Sequence, residues 1–148
     1  MQSPKPILLV EDDRIDAMAV QRIAREMKIP NQLVLKTNGE EALEYLKNNT
    51  IQPCIILLDI NMPKMNGIEL LKIIKADDTL KNIPVVFVLS LNEDIERVKN
   101  LNLGVAYISK PVSRNSFSET LKAVGLNITS GEFSNNKFLG DTLVCKKE

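Results

Sequence analysis

A chain of 148 residues suffices for one domain with a real core, and its balanced charge (19 Lys plus Arg, 19 Asp plus Glu) lacks the basic surplus that nucleic acid or an anionic membrane would need. A hydrophobic fraction of 44% and a charged fraction of 26% are ordinary for a soluble globular protein. Two distant cysteines, Cys54 and Cys145, with no CxxC and no histidine, argue against a zinc site or a disulfide framework.

The start, "MQSPKP", has no apolar core of a secretion signal, and no apolar run approaches the roughly 20 residues that span a bilayer. No membrane association and a cytoplasmic location are therefore expected. From there the chain alternates short apolar runs with longer periodic segments. "PILLV" (6–10) is the first expected strand, followed by a helical pattern in which Ile15, Met18, Ala19, Ile23 and Met27 form the apolar stripe. "LVLK" (33–36) is the second strand. "TNGEE" then places Thr37 or Asn38 ahead of Glu40 and Glu41, close to a capping box, and Ala42 and Leu46 mark the second helix.

"CIILL" (54–58) is apolar throughout, as a strand covered on both faces of a parallel sheet should be. Ile68, Leu71 and Ile74 stripe the third helix. "VVFVL" (85–89) is the fourth strand, and a weaker helix follows over 93–101, with Ile95, Val98 and Leu101 as its best apolar positions. "VAYIS" (105–109) is the fifth strand. Ser113 can cap the last helix, Phe117, Leu121 and Val124 stripe it, and Gly125 can end it. Five strand–helix alternations predict an α/β fold, a doubly wound five-stranded parallel sheet. A domain over 1–126 is expected, with 127–148 as a C-terminal tail of polar character and no output domain.

In such a sheet the C-terminal ends of the strands line one edge, where ligands bind. The first strand ends in Glu11, Asp12 and Asp13, the third in Asp59, and the fifth runs into Lys110 and Pro111. Each has an ordinary reading alone: "EDD" as a helix cap with acids favoured by the dipole, Asp59 as a turn-former, Lys-Pro as solvated surface. Their joint placement at one edge points instead to a site. Converging carboxylates repel unless a cation is present, and an all-oxygen set suits Mg²⁺ completed by a phosphate. Lys110 supplies a compact charge for a phosphoryl oxygen. The set fits a carboxylate that accepts a phosphoryl group.

"ILLVEDD", "IILLDINMPKMNGIELL" and "AYISKP" resemble the signatures of response-regulator receiver domains of two-component systems, over about residues 5 to 125. The resemblance implies a flavodoxin-like (βα)5 receiver fold. It implies that Asp59 is the phospho-acceptor, taking phosphate from a histidine kinase. Asp12, Asp59 and the backbone carbonyl of Asn61 would bind Mg²⁺ directly and Glu11 through water, while Asp13 falls one place beyond and reads as a cap. Lys110 would contact the phosphoryl group, with a cis peptide before Pro111. The opening "EDDRIDAMAVQRI" and the second helix "GEEALEYLKN" most resemble those of stand-alone regulators paired with phytochrome-type or other hybrid kinases. A histidine phosphotransfer protein is a further partner the resemblance allows. So is a homodimer through the last strand and helix, with Phe117, Phe133, Phe138 and Leu139 adding apolar contact, or else with the tail residues folded back on their own domain.

One position departs from the pattern. Such domains carry Thr or Ser at the end of the fourth strand, five residues after its proline, and here that place is Leu89. Either Ser90, one place later, supplies the phosphate-contacting switch hydroxyl, or the hydroxyl is absent and Ser90 only caps the next helix. Tyr107, three before Lys110, matches the aromatic that swings inward when the hydroxyl moves, and its ordinary reading is half-buried packing. Two other function classes compete with the phospho-switch. A non-switching receiver-fold interaction module draws support from Leu89. A phosphatase with an aspartyl-phosphate intermediate needs a second acid two residues after its nucleophile, where this chain has Asn61, so no enzyme in the ordinary sense is expected.

Overall fold

The computed structural model describes residues 4–90, 92–101, 103 and 105–132. Five strands and five helices alternate: β1 (Ile7–Val10), α1 (Arg14–Glu26), β2 (Leu33–Lys36), α2 (Gly39–Asn48), β3 (Ile55–Leu58), α3 (Gly67–Ala76), β4 (Val85–Leu89), α4 (Asn92–Leu101), β5 (Ala106–Ser109) and α5 (Arg114–Ala123). The strands form one parallel sheet in the order β2-β1-β3-β4-β5. This is the doubly wound, flavodoxin-like arrangement, with its switch of winding direction between β1 and β3.

β1, β3 and β4 are apolar in every position because both of their faces are covered. Alternate residues divide between two cores. Leu8, Val10, Ile56, Leu58, Phe87, Leu89 and Tyr107 pack with α2, α3 and α4 residues on one face. Ile7, Leu9, Ile55, Leu57, Val86, Val88 and Ile108 pack with α1 and α5 on the other. The helices start where short polar residues can hold their free amides. Asp13 accepts from Ile15 and Asp16, Asn38 from Glu41, and Ser113 from Ser116, while Asn66 and Glu69 form a reciprocal capping box. Gly125, at φ 113°, turns the chain out of α5.

The expected apolar face of α1 differs in part from the structure. In α1 the buried residues are Ala17, Val20, Ile23 and Ala24, whereas Ile15 and Met18 are 78% and 60% exposed. The small side chains let the helix lie close to the sheet, and that turns the larger pair outward. Phe117 lies in the α5 core, 1% exposed, and offers nothing to a partner surface. Phe133, Phe138, Leu139 and Cys145 lie outside the described residues. The chain stays packed past α5, with Leu126 buried and Gly131 accepting from the buried amide of Asn31 at 3.0 Å. Cys54 is a buried free thiol, pushed up to about 11 chiefly by burial. Among the described residues no helix is long and apolar enough to cross a membrane.

Candidate phosphoryl-acceptor site

The site is built from residues one step beyond the strand ends, and the sheet holds their backbones. Glu11 N–H donates to Lys36 O at 3.0 Å, Asp59 N–H to Val10 O at 3.1 Å, and Lys110 N–H to Leu89 O at 2.7 Å. The parallel ladder is thus extended by one residue at three places, which fixes the origin of each functional side chain. Glu11 and Asp59 meet at the β1/β3 switch point, where the helices diverge and leave a crevice.

Glu11 is 3% exposed and Asp59 9%, while Asp12 is exposed at the rim. One carboxylate oxygen from each of the three lies within 4.8 Å of the others. Lys110 reaches across from β5 with its Nζ 3.3 Å from Glu11, 3.7 Å from Asp59 and 2.7 Å from Asp16. Its peptide bond to Pro111 is cis. Burial raises the Glu11 carboxyl to about 7, helped by the Asp59 charge and opposed by Lys110. Burial also raises Asp59, against the pull of the Lys110 ammonium. Burial alone would lower Lys110, but the Asp16 hydrogen bond and the charges of Asp59 and Glu11 hold it above the ordinary lysine range. Two buried carboxyls thus face one ammonium, and the fully ionised pair would carry one negative charge more than Lys110 neutralises.

That imbalance fits a hard divalent cation. Three converging carboxylates with an exposed rim offer an all-oxygen set that leaves room for water, as Mg²⁺ prefers. Asn61 lies two residues beyond Asp59, and its side-chain amide donates to Asp94 Oδ2 at 3.0 Å. Asp94 is 4% exposed in the first turn of α4 and also pairs with Arg97 at 3.4 Å. The loop after Asp59 is thereby tied to α4.

The run "MPKMNG" also has a structural reason. Met65 N–H donates to Pro63 O at 2.7 Å, Lys64 takes a left-handed φ of 67°, and Gly67 N–H donates back to Ile60 O at 2.9 Å. The chain reverses tightly and starts α3 against the end of β3. A Cβ on Gly67 would sit 2.2 Å from the Asp59 carbonyl oxygen, so only glycine fits.

At β4, Leu89 is buried in the α2–α4 core and Ser90 is exposed just beyond it. Tyr107 is 7% exposed in the same core. Sequence reasoning did not single out Asp16, Asp94 or Gly67. Asp16 meets Lys110 across 94 residues of chain, and Asp94 meets Asn61 across 33. Only Gly67 carried a local signal, as the turn residue ending the third strand's motif.

Residues 7–122 match the family model for the response regulator receiver domain. Response regulator Rcp1 of Synechocystis sp. is 36% identical over 118 residues, 76% of this chain and 79% of Rcp1. A crystal structure of the Mn²⁺-bound form of response regulator Rcp1 superposes with a TM-score of 0.66 at 31% identity, covering 82% of this chain and 91% of that one. The bacteriophytochrome response regulator RtBRR gives a TM-score of 0.79 at 36% identity, covering 84% of this chain and 80% of its own. The phosphorylated cyanobacterial phytochrome response regulator RcpA gives 0.66 at 37%, covering 82% and 91%.

Proposed function

Since the chain belongs to the response regulator receiver domain family of two-component systems, we propose that Asp59 accepts a phosphoryl group from a histidine kinase and that the modified domain signals through changed protein contacts. The observation that carries this reading is the position of Asp59. It is a nearly buried carboxylate at the sheet's switch point, with an ammonium 3.7 Å away and two further carboxylates within reach. Asp59 would attack phosphorus as a carboxylate, forming a P–O bond as the P–N bond of a phosphohistidine breaks and the imidazole leaves. Lys110 meets the charge on the transferred oxygens. Glu11, Asp12, Asp59 and the Asn61 carbonyl would hold Mg²⁺, which when bound supplies positive charge against the acids and the phosphoryl group. The Mn²⁺-bound form of Rcp1 and the phosphorylated form of RcpA support this assignment. On this reading the chain is a signalling acceptor and not a turnover catalyst. Calorimetric titration with Mg²⁺ tests the metal half: saturable one-site binding is expected in the wild type, weakened at least tenfold in Asp12→Asn. Equal affinity in both would remove Asp12 from the metal set.

A phosphohistidine can reach the recessed Asp59 only if its protein seats on the rim. Ile15 and Met18 lie one turn apart on α1, are the exposed apolar pair nearest the acid cluster in sequence, and suit that contact. Ile15→Glu is expected to slow transfer from a kinase that labels the wild type about tenfold or more, while acetyl phosphate labels both alike. Equal slowing with both donors would place Ile15 in the site itself and not in docking.

A second reading has one specific observation behind it. Leu89 fills the core at the place where the family carries its switch hydroxyl. In a non-switching interaction module, Asp59→Asn would bind partners as the phosphorylated wild type does. In the phospho-switch, Ser90 or the Asn61–Asp94 link carries the signal to α4, and the two forms differ. A histidine phosphotransfer protein as second exchange partner, and a homodimer, belong to the same proposal.

A further inference from the structure

Lys110 is held at both ends. Its backbone N–H is fixed to Leu89 O at 2.7 Å, and the shortest contact of its ammonium is with Asp16 Oδ2, also 2.7 Å. Asp16 is itself anchored, because its backbone N–H donates at 3.1 Å to the capping carboxylate of Asp13 in the first turn of α1. An ammonium has three N–H donors. Asp16 takes one at short range, and Glu11, at 3.3 Å, takes a second. Asp59 lies at 3.7 Å, beyond good hydrogen-bond distance, so the acceptor does not consume the third donor.

We propose that Asp16 is a positioning residue for phosphoryl transfer: it holds the Lys110 ammonium so that its remaining N–H faces the oxygens that arrive on Asp59. The inference rests on the reading of Asp59 as acceptor. The physical case is the flexibility of lysine. Its four-carbon stem must be ordered before a donor can be aimed, and a side chain already tethered to a helix has met that entropy before the reaction starts. Asp16 is half-exposed and belongs neither to the acid pair nor to the phosphoryl acceptor, so its charge acts on the reaction mainly through Lys110. Charge alone predicts the opposite sign. Deleting a carboxylate beside a site that receives an anionic donor would speed the reaction.

The test uses the full chain with acetyl phosphate and Mg²⁺ and reads initial rates of phosphorylation by intact mass. The variants are Asp16→Asn, Asp16→Glu, Lys110→Ala and the Asp16→Asn/Lys110→Ala double. Asp16→Asn is expected to slow the reaction roughly tenfold, and Asp16→Glu to recover part of that rate. In the Lys110→Ala background Asp16→Asn should cause no further slowing, a non-additivity that a merely structural role would not produce. Asp16→Asn as fast as or faster than the wild type would overturn the proposal. Equal slowing in both backgrounds would overturn it too. A wild type that is not phosphorylated at all would be a separate result, removing the acceptor reading and this inference with it.

Discussion

Gly67→Ala is expected to cost about 3 kcal/mol of stability, the upper range of overpacking, and to slow phosphorylation of whatever remains folded. The new Cβ would lie 2.2 Å from the Asp59 carbonyl oxygen and 3.0 Å from both the Asp59 carbonyl carbon and the Ile60 Cα. All three are backbone atoms, so no rotamer change relieves the clash. Either α3 moves away from β3 and opens the core around Ile68, Leu71 and Ile74, or the end of β3 shifts and carries Asp59 from Lys110. Urea denaturation reads the first outcome as a lower midpoint, and acetyl phosphate labelling reads the second as a lower rate. A midpoint within experimental error of the wild type would mean that the two backbones separate at little cost.

Asp59→Asn is expected to stabilise the metal-free protein at pH 8 by about 2 kcal/mol, although it destroys the acceptor. Burial, and then the charge of Asp59, raise Glu11 from an ordinary 4.5 to about 7. Between those values the folded state keeps a proton that the unfolded chain has released. Stability of the metal-free wild type therefore falls as pH rises from about 4.5 to about 7 and stays low above that window. Asp59, raised in the same direction, adds to the loss from a lower starting pH. The asparagine removes both its own cost and its push on Glu11. Of the Lys110 contacts it gives up the longest, at 3.7 Å, and Lys110 keeps Asp16 and Glu11. Urea midpoints in EDTA at pH 5.5 and pH 8 should therefore differ less in Asp59→Asn than in the wild type. Mg²⁺ should raise the wild-type midpoint more at pH 8 than at pH 5.5, because the ion requires the deprotonated acids. A variant less stable than the wild type at pH 8 would show that the Lys110–Asp59 attraction outweighs the repulsion.

Short-range features were legible in the sequence because their cause is short-range. The runs at 33–36 and 85–89 coincide with β2 and β4, and the capping roles of Asn38 and Ser113 follow from a polar side chain one turn ahead of free amides. The clustering of Glu11, Asp59 and Lys110 was legible through topology, since a parallel sheet brings its strand ends to one edge. What escaped depends on which face of a helix turns inward. Ile15 and Met18 satisfied helical periodicity as well as Ala17, Val20 and Ala24 did, and only close helix–sheet packing decides between the two stripes. Phe117 keeps the place its periodicity gives it in the α5 stripe, buried at 1% exposure, and is therefore spent on the core and not on a partner surface. Asp16 and Asp94 looked like ordinary solvated helix acids. Their significance comes from Lys110 and Asn61, which stand elsewhere in the chain and which no local pattern connects to them.

Intact mass after incubation with acetyl phosphate, with and without Mg²⁺, for the wild type and Asp59→Asn, tests the acceptor assignment most directly. The account predicts a gain of one phosphoryl group in the wild type, dependent on Mg²⁺ and lost in the variant. No gain under any condition, or an equal gain in Asp59→Asn, would contradict it.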